Sequence, residues 1–256
     1  MNILACVKRV PATGAKIVVT ADEQAIETKN LGFAVSPHEE CGVEEAIRLK
    51  EKHKGTATVM TLGAEESIEQ LRFSIAQGID QAVLLETDGS DWQPTDTAQA
   101  LTEAIKAQQA EHGAYDVLIF GNESADSGGY QVGLRVADAL DLPCVTGIKS
   151  LEVANGLAIA KKEISGGWEV YEVPLPAVFT VKEGVNLPRY PSLPGRLRAK
   201  KANIARLEPQ RSTGGLAKVR LKVPTEQHAG AEILGEGPGA ADKIVEVFKK
   251  VGVLGV

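Results

Sequence analysis

Short apolar runs alternate with longer amphipathic segments through the first two thirds of this 256-residue chain. Ile3–Val7 is typical of a buried strand, whereas Pro37–His53 has Val43, Ala46 and Ile47 on one side and charged residues on the other. Each helical segment can carry the chain back to begin a further parallel strand. The alternation therefore predicts an α/β fold, with a mostly parallel sheet between two layers of helices.

The same patterns predict the remaining elements of this region. Further strands are predicted at Thr56–Thr61, Ala82–Glu86, Val117–Phe120 and Ala177–Val181. Further helices are predicted at Ala64–Gln77, Asp96–His112 and Gly133–Leu140. The β-branched run Lys16–Thr20 is interpreted as a second strand or the start of a hairpin.

Beyond Pro143 the pattern changes to short strand-like runs separated by tight-turn pairs. The runs are Leu151–Val153, Leu157–Lys162 and Glu169–Val173. The pairs Asn155-Gly156 and Gly166-Gly167 lie between them, and such pairs favour two-residue hairpin turns. An antiparallel hairpin section is therefore predicted, leading into the last parallel strand.

The C-terminal part of the chain has a different composition. Gln210–Ala240 is rich in glycine, proline and charge, with one apolar alternation at Val219–Val223, and Asp242–Val251 is predicted to be a short helix. So long an arm is difficult to accommodate within one small domain, so we expect it to contact another subunit. The predicted organisation is an α/β nucleotide-binding domain at residues 1–205 and an extended arm at residues 206–256.

Composition and charge exclude several classes of protein. The net charge of −6 argues against a general nucleic-acid binder, and no apolar run approaches the length of a membrane span. The N-terminal residues begin with a strand pattern, so no signal peptide is expected. Cys6, Cys41 and Cys144 lie far apart without a CxxC pair, which favours a reducing compartment and no disulfide framework.

The sequence predicts no catalytic side chains and no metal site. The four histidines are scattered without ligand spacing, and there is no GxSxG nucleophile motif. Cys6 lies within an apolar strand and is interpreted as a packed thiol.

The loop after the Val117–Phe120 strand is the best candidate for binding a small molecule. It reads GNESADSGGYQVG over Gly121–Gly133 and lies where parallel sheets bind ligands, at the carboxyl end of a strand. Small residues allow close backbone approach, and amides at a helix start suit phosphate. Neither GxGxxG nor GxxxxGK[ST] is present, and the alternative is a polar glycine-rich turn.

The segment Val185–Lys201, VNLPRYPSLPGRLRAKK, combines three prolines with five arginine and lysine residues. Proline fixes φ and removes a backbone donor, so we expect a stiff loop that projects from the domain and is neither a central strand nor a helix interior. An apolar tip at Leu193 beside a basic flank is typical of a docking element, because a stiff loop loses little entropy on binding. The alternative is a proline-rich connector with solvated charges.

Four segments, taken together and in order, resemble the β subunit of electron-transfer flavoprotein. They are VKRV at Val7–Val10, GVEEAIRLKEK at Gly42–Lys52, GNESADSGGYQVG at Gly121–Gly133 and LPRYPSLPGRLRAKK at Leu187–Lys201. The resemblance extends from the first strand to the basic segment, and the C-terminal arm is compatible with it.

This resemblance implies an electron carrier subunit without catalytic side chains of its own. In the family, the β subunit forms a heterodimer with a larger α subunit that holds most of a redox FAD, and the β subunit buries a structural AMP. Electrons arrive from acyl-CoA dehydrogenases of fatty acid oxidation, or related flavin dehydrogenases, and leave to a membrane quinone oxidoreductase. The implied compartment is the bacterial cytoplasm, or the mitochondrial matrix in a eukaryote.

The resemblance also implies specific residues. The implied AMP-site residues are Cys6, Ser36, Pro37, His38, Glu39, Leu62, Gly63, Ala125, Asp126, Gly129, Gln131 and Val132. Leu193, within RYPSLP, matches the leucine that anchors dehydrogenases, and its implied neighbours in docking are Tyr190, Arg196, Arg198, Lys200 and Lys201. Glu163 matches a position used for a charge pair with a mobile α-subunit domain.

The chain departs from the family at two places near the flavin, and alternatives remain. Ser36-Pro37-His38 stands where relatives often carry Asn-Pro-Phe, and Thr13 falls about where some carry an aromatic residue. One alternative is an electron-bifurcating form with a second FAD in place of AMP. Others are a stand-alone adenine-nucleotide sensor, and an adenylate-forming enzyme, which would need an SGGxDS loop that this chain lacks.

Overall fold

The computed structural model describes residues 1–211, 216–224 and 231–254, and its centre is a nine-stranded sheet. In spatial order the strands are β11 (Ala205–Leu207), β5 (Gln81–Glu86), β4 (Thr56–Gly63), β1 (Asn2–Cys6), β6 (Val117–Gly121), β10 (Ala177–Val181), β7 (Cys144–Ala154), β8 (Leu157–Ile164) and β9 (Gly167–Pro174). The strands β2 (Arg9–Pro11) and β3 (Phe33–Val35) form a separate antiparallel pair.

Six α-helices accompany the sheet in the described residues. They are α1 (Pro37–His53), α2 (Ile68–Gln77), α3 (Pro94–His112), α4 (Val132–Ala139), α5 (Leu193–Lys201) and α6 (Ala241–Lys250). Short 3₁₀ helices precede α2 and α6, at Glu65–Ser67 and Gly237–Ala240.

The helices pack on both faces of the parallel strands, as the alternation predicts. Successive side chains of a strand point to opposite faces, so Ile3 and Leu4 of β1 enter two different cores. Ile3 packs with Ile47 of α1 and with residues of α2, whereas Leu4 packs with Ile105 of α3 and with residues of α4. Each such fully buried side chain contributes about 1.5–3 kcal/mol. The α/β fold class is therefore confirmed.

The strand order creates a crevice beside β1. From β1 the chain adds β4 and then β5 on one side, and α3 then returns it to β6 on the other side. The connections after β1 and β6 consequently leave the sheet in different directions. Crevices at such a topological switch point are the usual ligand sites of open parallel sheets.

The antiparallel section is confirmed, and it begins earlier than predicted. β7 starts at Cys144, pairs in parallel with β10, and continues into an antiparallel pairing with β8. Asn155 and Gly156, both with positive φ, form the turn between β7 and β8. One long strand thus joins the parallel and antiparallel parts of the sheet.

The expectation of a projecting loop at Val185–Lys201 is wrong for its second half. Leu193–Lys201 is helix α5, because Pro194 lies in the first turn, where proline is tolerated, and the Ser192 Oγ accepts a hydrogen bond from the Gly195 N–H at 3.1 Å. Gly195 and Ala199 are buried against α2. A Cβ at Gly195 would overlap the carbonyl oxygen of Ala76, which explains the glycine at this helix–helix contact.

Other differences concern short elements. Lys16–Thr20 is not a strand, and one isolated bridge joins Val19 to Ile26. The pair β2 and β3 and the edge strand β11 were not predicted, since each has only three residues and shows no periodicity. In the described part of the C-terminal segment, the Leu221 N–H donates to the Glu23 carbonyl at 2.7 Å, and the Gln24 Nε2 donates to the Val219 carbonyl at 3.0 Å.

Candidate functional site

A cleft of about 490 Å³ lies at the carboxyl edge of the sheet, beside the switch point. Its lining consists of Thr13, Ser36, Pro37, His38, Glu123, Ser124, Ala125, Asp126, Ser127, Gly128 and Glu183. The loop after β6 supplies most of these residues, and the start of α1 supplies three of them. The volume is within the ordinary range for a small-molecule site.

The strand pair β2–β3 brings the two sides of the cleft together. Arg9 pairs with Val35, so Lys8, which precedes β2, lies near Ser36, which follows β3. The Lys8 Nζ then reaches the loop after β6, at 2.6 Å from the Asp126 Oδ2 and 3.3 Å from the Ser127 Oγ. Burial raises the pKa of Asp126, but the ion pair with Lys8 and the hydrogen bonds of the loop outweigh it, so its pKa is lowered.

Glu39 is a buried carboxyl group beneath the cleft. Its Oε2 accepts a hydrogen bond from the Lys8 backbone N–H at 2.6 Å. Burial raises its pKa to about 8, against weaker opposing contributions from Lys8. A Cβ at Gly121 would lie 2.6 Å from the Glu39 Cγ, so the absence of a side chain at the end of β6 makes room for this carboxyl group.

The Ser36 hydroxyl is an unpaired polar group at the start of α1. Ser36 and Glu39 have the spacing of a capping box, in which the serine Oγ accepts from the backbone of the glutamate. Here Ser36 is fully buried by the chain, and its Oγ has no hydrogen-bond partner among the described residues. Buried polar groups are nearly always paired, so this hydroxyl is suited to bond a ligand in the cleft.

His38 joins two loops at the rim of the cleft. Its Nδ1 accepts a hydrogen bond from the Glu183 backbone N–H at 2.6 Å, which requires the proton to be on Nε2 in the neutral ring. The Nε2 lies 3.4 Å from the Glu123 Oε1. The imidazole therefore ties the loop after β10 to the loop after β6.

The structure gathers some of the predicted nucleotide-site residues around this cleft and leaves others outside its lining. Ser36, Pro37, His38, Ala125 and Asp126 line the cleft, and Glu39 lies beneath it. The predicted residues outside the lining are Cys6, Leu62, Gly63, Gly129, Gln131 and Val132.

The residues outside the lining have identifiable local environments. The Cys6 thiol is buried in β1, where burial and the nearby Glu39 raise its pKa, so it is not a reactive thiolate. The Gln131 Oε1 accepts from the Arg135 guanidinium at 3.0 and 3.1 Å, at the start of α4. Glu123 and Glu183 were not predicted individually. Glu183 follows β10 at the same edge, so the carboxyl-end rule was a signal that pointed to it.

A second surface contains the predicted docking residues. Tyr190 and Leu193 are 94% and 72% exposed, and Leu197 on the same helix is also exposed. Arg196 and Lys200 line a shallow groove of about 290 Å³ between α5 and α2, and Lys201 ends the helix. We call this surface, Tyr190 to Lys201, the docking surface.

Glu163 lies on the exposed β8–β9 hairpin, opposite Trp168. Trp168 and Val170 of the edge strand are more than half exposed. The Glu163 carboxylate therefore lies beside exposed apolar side chains of the edge strand.

The described residues contain neither a membrane-spanning helix nor a metal cluster. No helix there has the length and apolar content needed to cross a membrane. In the same part of the chain, no group of three or more histidine, cysteine, aspartate or glutamate side chains is arranged to hold a metal ion.

Comparison with known proteins gives a consistent result. The sequence model of the electron transfer flavoprotein domain matches residues 23–212. The chain is 34% identical over 258 residues to the electron transfer flavoprotein subunit beta of Bacillus subtilis (strain 168), covering 97% of this chain and 98% of the relative. The subunits beta of Syntrophomonas wolfei and Dictyostelium discoideum are 34% and 28% identical, over 97% and 98% of this chain. The resemblance predicted from the four segments is confirmed, and the chain belongs to the electron transfer flavoprotein family.

Proposed function

We propose that this chain is the β subunit of a heterodimeric electron carrier. It relays electrons from acyl-CoA or related flavin dehydrogenases towards a membrane quinone oxidoreductase, and none of its side chains makes or breaks a bond. The observation that carries the proposal is the pairing of a cleft at the switch point with an exposed leucine surface. A stand-alone nucleotide sensor would need the cleft, but it would not need the exposed leucine surface.

AMP is the proposed ligand of the cleft, and the local chemistry fits it. The unpaired Ser36 hydroxyl is a donor suited to phosphate. The backbone N–H groups at the starts of α1 and α4 that have no partner within their helix are suited to it as well. Carboxylates such as Asp126 and Glu123 accept hydrogen bonds from ribose hydroxyls or the adenine amine. Leu62, Gly63, Gly129, Gln131 and Val132 stay proposed contacts, through their backbone atoms.

FAD, held mainly by the α subunit, supplies the redox chemistry when it is bound. This chain contributes one wall of the interface. We propose that Glu163 on the β8–β9 hairpin forms a charge pair with a mobile domain of the α subunit. Such a pair would bias the orientation of that domain.

Donor recognition is assigned to the docking surface. Burying Leu193 in a pocket of the dehydrogenase would contribute about 2 kcal/mol, which permits recognition and rapid release. Arg196, Lys200 and Lys201 would steer an acidic partner and act mainly on the association rate.

The C-terminal arm is proposed to bind the α subunit. Leu216, Val219 and Ile233 are each more than four-fifths exposed in this chain alone, and α6 has no buried residue despite an apolar side. Apolar surface of this extent is typical of a protein–protein interface. The three free cysteines support a reducing compartment, and we propose the bacterial cytoplasm.

The deciding experiment is nucleotide extraction from the complex co-purified with its α subunit. One FAD and one AMP per heterodimer is the expected result. Two FAD and no AMP would replace the relay with an electron-bifurcating form. A chain that purifies alone with adenine nucleotide and never with flavin would overturn the proposal in favour of a sensor.

A further inference from the structure

The segment that precedes α5 is fixed to the body of the protein by one arginine. The Arg189 guanidinium makes a bidentate contact with Glu51, at 2.6 Å and 3.0 Å, and its Nε lies 2.9 Å from the Glu44 Oε2. The Arg189 backbone N–H also donates to Glu44, at 3.2 Å. Both glutamates belong to α1, so Arg189 ties the segment to that helix with side chain and main chain together.

The charges of this cluster are stabilised in the folded chain. Burial raises the pKa of Glu44, but hydrogen bonds from Arg189 and Arg48 outweigh it, so its pKa is lowered. The hydrogen bonds from Arg189 also lower the pKa of Glu51. Planar guanidinium groups suit two carboxylates at once, whereas the point charge of a lysine does not.

Neighbouring groups hold the backbone on either side of Arg189. The Gln77 Nε2 donates to the Arg189 carbonyl at 3.0 Å, and the Asn186 Nδ2 donates to the Glu45 Oε2 at 2.8 Å. The next residue, Tyr190, and the nearby Leu193 are nevertheless largely exposed. The segment therefore has a fixed backbone and free apolar side chains.

We propose that Arg189 is a positioning residue for donor recognition. It holds the docking surface in the conformation in which Leu193 and Tyr190 meet the dehydrogenase, and this inference rests on the proposed function. Without the clamp, the segment from Asn186 to Ser192 must be ordered when the partner binds. That loss of conformational entropy opposes the small gain from one buried leucine.

The test uses the complete heterodimer and an acyl-CoA dehydrogenase with its substrate. For Arg189→Ala we expect the KM for the heterodimer to rise about tenfold, with unchanged kcat and unchanged flavin and adenine nucleotide content. Arg189→Lys should recover little of this loss, because lysine cannot bond Glu44 and Glu51 together. Glu51→Gln, which changes a half-exposed side chain and keeps its shape, should give a smaller rise in the same direction.

Arg206→Ala is the matched control. Arg206 also bridges two glutamates, Glu86 at 2.9 Å and Glu65 at 3.1 Å, but it lies in β11 at the far edge of the sheet. Its KM should equal that of the wild type. If Arg206→Ala raised the KM as much as Arg189→Ala does, the positioning role would be overturned. The loss of any arginine bridge would then be enough to raise the KM.

A double-mutant cycle with Leu193→Ala separates the docking role of Leu193 from the positioning role of Arg189. If Arg189 acts through the docking surface, Arg189→Ala should add little to the KM of the Leu193→Ala variant. A full tenfold effect in that background would overturn the positioning role. If Leu193→Ala alone leaves the KM unchanged, the docking function itself fails. If Leu193→Ala raises the KM while Arg189→Ala and Glu51→Gln do not, only the clamp fails.

Discussion

The cleft and the docking surface differ in which of their groups lack a partner. In the cleft, the Lys8 ammonium pairs with Asp126, the Lys8 backbone N–H donates to Glu39, and the unpaired Ser36 hydroxyl is buried. On the docking surface, the backbone is fixed through Arg189 while Leu193 remains mostly exposed. The proposed function assigns a resident polar ligand to the first region and a partner that dissociates again to the second.

The two regions differ in which group lacks a partner: a buried polar group in the cleft, and an exposed apolar side chain on the docking surface. A buried hydroxyl without a partner is costly, so the cleft gains much from a resident ligand and little from exchange. An exposed leucine on a fixed helix costs little free energy. Its burial contributes only a modest binding free energy, so the partner can dissociate quickly.

The largest effect is expected for Gly121→Ala, in the cleft. The added Cβ would displace Glu39, which bonds the backbone of Lys8 and so sets the Lys8–Asp126 ion pair. We expect the heterodimer to lose most of its adenine nucleotide and about 1–3 kcal/mol of unfolding free energy. Nucleotide extraction and denaturant titration measure the two effects.

Gly32→Ala is the control for this change, because its Cβ would meet only the Ala12 Cβ at 3.7 Å, an ordinary contact. It should keep its nucleotide and its stability. Full nucleotide retention by Gly121→Ala would show that the packing of Gly121 on Glu39 does not shape the ligand site.

The second effect is expected for Leu193→Ala, on the docking surface. Losing about 2 kcal/mol of burial predicts a KM for the dehydrogenase reaction roughly 30-fold higher, with unchanged nucleotide content. Leu187→Ala removes another leucine that is at least as exposed in the same segment and should behave as the wild type. Similar KM values for both variants would contradict an anchoring role for Leu193.

The sequence predicted the parallel sheet well because its strands are buried on both faces. Ile3–Val7 is a continuous apolar run, and Ala177–Val181 is apolar apart from the buried Thr180. The boundaries of α1 match the prediction at Pro37 and His53. The α5 helix was missed because prolines were taken to exclude a helix. The structure uses Pro194 in the first turn and Ser192 as the N-cap, which the spacing Ser-Leu-Pro-Gly permits.

The candidate site was less predictable than the fold. The Gly121–Gly133 loop was identified from its position after a strand, since that rule depends only on topology. The Lys8–Asp126 ion pair was not predicted, because it depends on β2 and β3, two strands of three residues whose pairing leaves no periodic signal. Long-range contacts set by such short elements cannot be derived from local pattern.

Glu39→Gln should change how stability depends on pH. Burial raises the pKa of Glu39 from 4.5 to about 8, so the folded chain retains a proton that the unfolded chain has lost across that range. This contribution makes the folded state progressively less stable as pH rises from 4.5 to 8, after which it levels off. Glutamine does not ionise, so the stability of Glu39→Gln relative to the wild type should increase over the same range.

Denaturant titrations of both proteins at pH 5, 7 and 9 measure this difference. Parallel pH profiles would mean that Glu39 is not a buried neutral acid. The KM for the dehydrogenase should not separate the two proteins at any of these pH values, because Glu39 lies in the cleft and not on the docking surface.

The smallest effect is expected for a charge at the rim of the docking surface. Arg196→Gln removes one positive charge beside the groove between α5 and α2, and it should slow association with an acidic dehydrogenase about two- to threefold at low salt. The difference should vanish at high salt, where charges further apart than a few ångström are screened.

Arg198→Gln gives the contrast that makes this small effect interpretable. The Arg198 guanidinium donates to the Ile75 carbonyl at 2.7 Å and so fastens α5 to α2. Arg198→Gln should weaken docking at every salt concentration, because it changes the position of α5 as well as the electrostatic field around the helix. If Arg196→Gln weakened docking equally at low and high salt, Arg196 would have a structural role like that of Arg198. The basic residues of α5 would then hold Leu193 in place and would not steer the partner.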